Sequence, residues 1–424
     1  MGIVSQSPDL MWRKTQKTLA TLIPSMLLLT YVTVAISLLN RWDAMVPVTL
    51  IPVWAWASLG MTVSLLCWLI CRGLPSLLIF CLCLATGILF SEETRGIARE
   101  LVVAIKGKDP APAAGDPGVL RIVNVNSAGS EAVLRRTIDA RPDVLVIQEA
   151  PDKNVLESVA DQLYGVDRCV ATHGTNAIVA RGKLLETISE PGDSTLHARI
   201  LRPDGFIVDV TNLDLEGCAP TLDMWRPAVW KELIKARVAN RRLVRASLGE
   251  NEITRSNLGR IISGGFGTPP GDDVYRPLET SGLIDTYAAS GRGWGNTYPS
   301  NYPALRLDQI WVSPNLLPVR SLTRLNPESD HRIVVSEVQV KTPDAPAKSS
   351  EPAAVIPAPA TPAPATPAPA APAPATPAPA TPAPAAPAPA TPAPATPAPA
   401  TPAPATPAPA TPAPTTPAPT TPAQ

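Results

Sequence analysis

The chain has 424 residues and a formal net charge of zero, with 36 Lys and Arg against 36 Asp and Glu. That balance argues against a broad electrostatic grip on nucleic acid, which needs a basic surface. A length that ordinarily means two or three domains misleads here, because apolar and Pro residues are segregated along the chain.

Residues 1–18 are a short basic segment. Leu19–Leu39 carries no charge and is long enough to cross a bilayer core as a helix. Ala44–Cys71 is a second uncharged run, and Leu74–Phe90 a third, separated from it only by Arg72–Gly73. A cleaved signal peptide would have a shorter apolar stretch and a small-residue cleavage site. The expectation is three transmembrane helices over 19–90. Arg13, Lys14 and Lys17 precede the first and Arg72 follows the second, while Arg41 in the first connection is offset by Asp43. The positive-inside rule then puts the N-terminus in the cytoplasm and everything after Phe90 outside, as an extracytoplasmic part of a multi-pass membrane protein. Arg95, Arg99, Lys106 and Lys108 pull against that orientation, diluted by Glu92, Glu93 and Glu100. Cys67, Cys71, Cys81 and Cys83 lie in apolar runs and read as small packed side chains rather than a metal site.

Residues 91–118 read as a linker that opens with an amphipathic turn or two and ends in DPAPAAGDPG. Residues 119–342 then mix apolar, charged and turn residues as an α/β domain does, with length enough for a sizeable core. VLRIVNV and DVLVIQEA predict buried strands, and Ser130–Asp139 a helix capped by Ser130. Further strands are predicted at Arg168–Thr172, Asn176–Arg181, Phe206–Leu213, Arg260–Ser263, Leu307–Val312 and Ile333–Val340. A helix over Met224–Ser247 carries Lys231, Lys235, Arg237, Arg241, Arg242 and Arg245, read as a solvated face, with phosphate contact the other reading. Cys169 and Cys218 can form one disulfide if this part faces an oxidising compartment. Residues 343–424 repeat TPAPA with variants and hold too little apolar bulk for a core. They predict a disordered, extended spacer able to contact the cell envelope, with Thr residues that can accept sugars.

The chemistry lies in short motifs that mostly end strands. IVNVNS supplies Asn126, VIQEAP Glu149, THGTNAIVAR Asn176, RLDQIW Asp308, and SDHRIV the pair Asp330–His331. In this order and spacing, Val119–Val340 resembles the endonuclease/exonuclease/phosphatase superfamily. The resemblance implies an α/β fold, a four-layer sandwich of two packed mixed sheets flanked by helices, with a site at one end. It implies that Glu149, helped by Asn126 and Asp330, holds Mg²⁺ or Mn²⁺ through oxygen ligands. His331 would donate to a phosphate oxygen of a phosphorylated substrate or ligand, and Asp308 would fix the ring.

The sequence departs from the family pattern where water is activated. The family's Gly-Asp-Phe-Asn before Thr-Pro reads SGGFGTPP here, placing Gly265 and Gly267 at the Asp and Asn positions. A family His is replaced by Asp214 in VTNLDL. Three readings stay open: a membrane-tethered, metal-dependent phosphohydrolase with a rebuilt site, Asp214 taking a metal or base role; a pseudoenzyme that binds a phosphorylated ligand or partner; or a chain whose tail is the working part, as an envelope spacer or wall-associated anchor. Asp272 and Asp273 read as loop carboxylates, with a reach into the site as the other option.

Overall fold

The computed structural model describes residues 8–107, 118–189, 194–249 and 258–341. The chain divides into two units, Met1–Glu351 and Pro352–Gln424; the second, and with it almost all of the expected spacer, lies outside the described residues. The DPAPAAGDPG stretch is also outside them, apart from its final Gly118.

The N-terminal part forms α1 (Pro8–Asn40), α2 (Val46–Thr49), α3 (Val53–Cys71), α4 (Leu74–Phe90) and α5 (Glu92–Lys106). Two stretches, Ala20–Asn40 and α3, are each long and apolar enough to cross a membrane. The third expected span, α4, meets that standard only together with α5, from which it is bent by 66°. Leu29, Leu66, Leu78 and Leu89 are all more than half exposed, as suits helices apolar on every side.

The globular part contributes β1 (Val119–Asn126), α6 (Glu131–Ile138), β2 (Val144–Gln148), α7 (Lys153–Tyr164), β3 (Arg168–His173), β4 (Asn176–Arg181), β5 (Lys183–Ile188), β6 (Thr195–Leu201), β7 (Ile207–Asp214), α8 (Pro227–Ser247), β8 (Leu258–Gly265), α9 (Arg276–Thr280), β9 (Ile284–Asp285), α10 (Thr286–Ser290), β10 (Asp308–Val312), β11 (Leu316–Arg324) and β12 (Ile333–Val340). They build two six-stranded mixed sheets, β11-β12-β1-β2-β4-β3 and β5-β6-β7-β8-β10-β9. Each sheet has one parallel pair at its centre, β1 with β2 and β7 with β8, flanked by antiparallel partners.

Alternation along the strands sends one row inward and the next outward. Leu120, Ile122, Val144 and Val146 meet Ala198, Val208, Val210 and Ile310 between the sheets. Val123, Val125, Leu145 and Ile147 face α6 and α7 instead, while Leu213, Ile262 and Trp311 share a cluster with Val244 of α8. The result is the expected helix–sheet–sheet–helix sandwich.

Three local readings are corrected. Ser130 occupies the N-cap of α6, but its side chain accepts no helix N–H. Cys169 and Cys218 are both free and buried in different clusters: Cys169 lies between the sheets, and Cys218 lies against Val46 and Leu50. Burial pushes the Cys169 thiol up to about 11, which also makes it a poor nucleophile. The basic face of α8 is not simply solvated. Arg237 is fully buried, bonding Asp272 at 2.7 Å, Thr49 at 2.8 Å and the Trp42 carbonyl at 3.0 Å. Arg241 pairs with Asp43 and Asp273. The connection between α1 and α3 is thus clamped to α8, and Asp272 and Asp273 serve that clamp rather than the site.

Candidate active site

The parallel pairs bring the C-terminal ends of β1, β2, β7 and β8 to one end of the sandwich, together with the N-terminal ends of β4, β10 and β12. Asn126 and Glu149 follow from β1 and β2. Asn126 Nδ2 donates to Glu149 Oε1 at 2.8 Å, and Asn126 Oδ1 accepts from the Ala128 N–H at 3.0 Å. Glu149 is exposed and has a φ of 47°, in the left-handed region that a Glu rarely adopts. Its carbonyl accepts from Gly129 N at 2.8 Å and Ser127 Oγ at 2.5 Å, which hold the backbone there against a cost of about 1–3 kcal/mol.

On the other sheet, register places Asp214, Gly265 and Asp308 side by side on β7, β8 and β10. Asp308 Oδ2 lies 2.7 Å from His331 Nδ1, while Asp308 Oδ1 is buried with no hydrogen-bond partner. The His331 N–H donates to Ser329 Oγ at 3.1 Å, and that hydroxyl donates to the Asn126 carbonyl at 3.0 Å, tying the His turn to the Glu149 side. The Tyr298 ring packs on His331 with centroids 5.0 Å apart. Asn176 Nδ2 and the Asp214 N–H both donate to the Ser194 carbonyl, at 2.9 and 3.0 Å. Asn126, Glu149, Asp308 and His331 therefore form one bonded group, with Asp214 in electrostatic reach and Asp330, exposed, beside the ring.

Burial opposes the His331 imidazolium, but the Asp308, Asp330 and Glu149 carboxylates outweigh it and push the ring up to about 9. His331 is thus a cation at neutral pH, with Nδ1–H committed to Asp308 and Nε2–H left for an anion. Burial first, then the charges of Glu149 and Asp308, raise the Asp214 carboxyl against the pull of His331.

The glycines differ from one another. A Cβ at Gly265 would sit 3.7 Å from Asp214 Oδ1 and 3.9 Å from Asp308 Oδ1, in ordinary contact. Gly267 has a φ of 66°, and a Cβ there would come within 2.8 Å of the Glu216 carbonyl oxygen. The loop after β7 occupies that space, its Cys218 N–H donating to the Gly267 carbonyl at 2.9 Å.

Sequence reasoning missed a buried polar network beneath the site. Gln148 Nε2 donates to Asn124 Oδ1 at 3.0 Å and Asn212 Oδ1 at 2.6 Å. Ser263 Oγ also donates to Asn124 Oδ1, at 3.0 Å. Asn212 Nδ2 reaches the carbonyls of Ile147 and Ala177. These bonds pin the sheets together directly behind the site. The signal was available: Asn124, Asn212 and Ser263 each stand two residues before a site position, on the same strand face.

Among the described residues, no three His, Cys, Asp or Glu side chains are gathered to hold a metal ion. A cage of protein ligands is therefore absent from them. The donor set still fits Mg²⁺ in its sparser mode, one or two carboxylates completed by water and substrate phosphate: Glu149 is exposed and oriented by Asn126, with the Asp330 carboxylate in the same cluster.

Two helix-flanked mixed sheets, with Asn, Glu, Asp and His drawn together, define an α/β sandwich with a polar site at one end. A sequence model of the Endonuclease/Exonuclease/phosphatase family matches residues 123–331. Among solved structures, the chain is similar to the mannosyl-6-phosphatase of Bacteroides thetaiotaomicron VPI-5482, at 18% identity and TM-score 0.40 over 52% of this chain and 99% of that one. It is also similar to the endonuclease/exonuclease/phosphatase of Beutenbergia cavernae DSM 12333, at 17% identity and TM-score 0.41 over 52% of this chain and 72% of that one. A family protein from Leptotrichia buccalis matches at 16% identity and TM-score 0.39 over 52% of this chain and 99% of that one. No curated protein matches the chain.

Proposed function

We propose that this is a membrane-anchored, extracytoplasmic domain that binds a phosphorylated ligand with a hard cation and hydrolyses it slowly, through a site whose water-activating half is missing. The observation that carries the reading is the contrast between the bonded Asn126–Glu149 and Asp308–His331 pairs and the side-chain-free Gly265 and Gly267. His331 Nε2–H donates to a phosphate oxygen, and Asp308 holds the ring in place and stabilises its charge. Mg²⁺ or Mn²⁺ would be held by Glu149, with Asn126 and Asp330 beside it, and would supply neutralisation of phosphate oxygens. Nothing at 265 or 267 can take a proton from water or place it. Loss of such a base ordinarily costs about 10²–10⁴ in rate.

The apolar helices anchor the domain, and the basic N-terminus favours its exposure outside the cytoplasm, with the Pro/Ala/Thr repeat as an envelope spacer. Protease shaving of intact cells should remove the domain; protection until lysis would reverse that topology. The site is tested on the full chain with Mg²⁺ or Mn²⁺ and a panel of phosphomonoesters and diesters. Gly265→Asp should raise turnover, and Glu149→Ala in that background should remove the gain. Turnover that is already fast in the natural chain and lost on Asp214→Ala would replace this reading with a rebuilt catalytic site.

A further inference from the structure

The helix α5, expected only as a turn or two of linker, runs for 15 residues and has two opposed faces. One is spent on the globular domain. Gly96 lies so close to it that an added Cβ would be 2.3 Å from the Tyr287 hydroxyl and 2.5 Å from the Gly293 carbonyl oxygen. The Arg99 guanidinium donates to the carbonyls of Ala288 and Gly291 at 2.8 and 3.1 Å. Glu92 pairs with Arg306, which also holds Asp285. These three residues share one side of the helix.

The other side is mostly apolar and, among the described residues, largely exposed. At about 100° per residue, Ile97, Ala98, Leu101, Val102, Ala104 and Ile105 fill an arc of about 160° centred opposite Gly96 and Arg99. Leu101 is 58% and Ile105 76% exposed. Exposed Arg95 and Lys106 border one edge of that arc, and Glu93 and exposed Glu100 the other. Ile88, Leu89 and Phe90 at the end of α4 are more than half exposed too, and the 66° bend turns the chain away from the direction of α4. If α4 crosses a bilayer, the bend brings α5 towards the membrane plane.

We infer that α5 lies in the membrane surface, its Ile97–Leu101–Ile105 face sunk into the headgroup–acyl boundary and Arg95 and Lys106 among lipid phosphates; this rests on the membrane anchoring proposed above. An amphipathic helix in that position buries its apolar face about 5–10 Å into the boundary. Because its opposite face grips residues 287–293, α5 also fixes the height above the bilayer of the following segment, which ends in Tyr298 against His331.

The test places a fluorescent amino acid, by codon suppression, at Leu101, Ile105, Leu66 or Val166 of the full chain in vesicles of phosphatidylcholine and phosphatidylglycerol. Leu66, on α3, reports the membrane anchoring; Val166, 100% exposed on the globular domain, reports solvent. Lipids brominated near the headgroup should quench positions 101 and 105 several-fold more than aqueous iodide does, with the reverse at 166. Iodide quenching at 101 and 105 equal to that at 166, while 66 is quenched by lipid, would overturn the inference and leave the anchoring intact. Strongest quenching at 105 by bromines at the acyl-chain ends would overturn it too, making α5 a re-entrant segment. Failure of lipid quenching at 66 would remove the anchoring itself.

Discussion

The two halves of the candidate site sit on the same scaffold and are built oppositely. Around Glu149 and His331, side chains are cross-braced: Asn126 holds Glu149, Asp308 holds His331, and Ser329 joins the two. Around Gly265 and Gly267 there are backbone and the Asp214 and Asp308 carboxylates, with no side chain at either glycine position itself. The difference is not an empty space waiting for two side chains. Position 265 is open, whereas position 267 is closed by the left-handed backbone and by the Glu216 carbonyl. A site that had merely lost two side chains would leave both positions open; here the loop after β7 occupies one of them.

That contrast can be sharpened by substitution, the largest effect first. Gly265→Asp should raise metal-dependent turnover by about 10²-fold or more, read in steady-state assays on the full chain. Gly267→Asn should instead lower the thermal midpoint, because its Cβ meets backbone. Equal rate gains from the two changes would contradict the steric distinction. Arg237→Ala should cost about 3–5 kcal/mol by leaving Asp272 buried and unpaired; a midpoint unchanged in denaturant unfolding would mean that the clamp on the α1–α3 connection contributes little. Gln148→Leu should cost about 1–3 kcal/mol, since it strips Asn124 and Asn212 of a buried donor.

The pH dependence follows from His331. Its folded pKa is raised, so stability from the Asp308 pair is fully present below the ordinary His value of about 6.5 and is lost as pH rises through about 9. Anion affinity should follow the same upper limit, measured by phosphate titration between neutral pH and 10. Loss centred near 6.5 would mean that the surrounding carboxylates do not hold the proton.

Much of the sandwich could be read from apolar runs, because its central strands are buried on both faces. The strands at β4, β7, β8, β10 and β12 lie at or near their predicted bounds for that reason, whereas β3 is a half-exposed edge strand with an alternating pattern. The missed strands lack a continuous apolar run: β5 is an exposed edge, β6 alternates Leu196, Ala198 and Ile200 with His197 and Arg199 on the other face, and β11 contains Pro318 and Arg320. Site residues were readable because strand ends put them at motif positions. Arg237 was not, since a basic residue on a long helix looks solvated until its buried partner, Asp272, is brought to it by tertiary structure. Gly265 and Gly267 were equally blank as letters; only the neighbouring atoms separate an open position from a closed one.

Binding and single turnover measured on one preparation test most directly whether the retained half binds while the missing half limits chemistry. With the full chain, Mg²⁺ and a bound phosphomonoester in excess protein, His331→Ala should abolish binding, and the natural chain should bind but release phosphate at least about 10²-fold more slowly than Gly265→Asp. Fast release by the natural chain, unchanged in Gly265→Asp and abolished by Asp214→Ala, would contradict it.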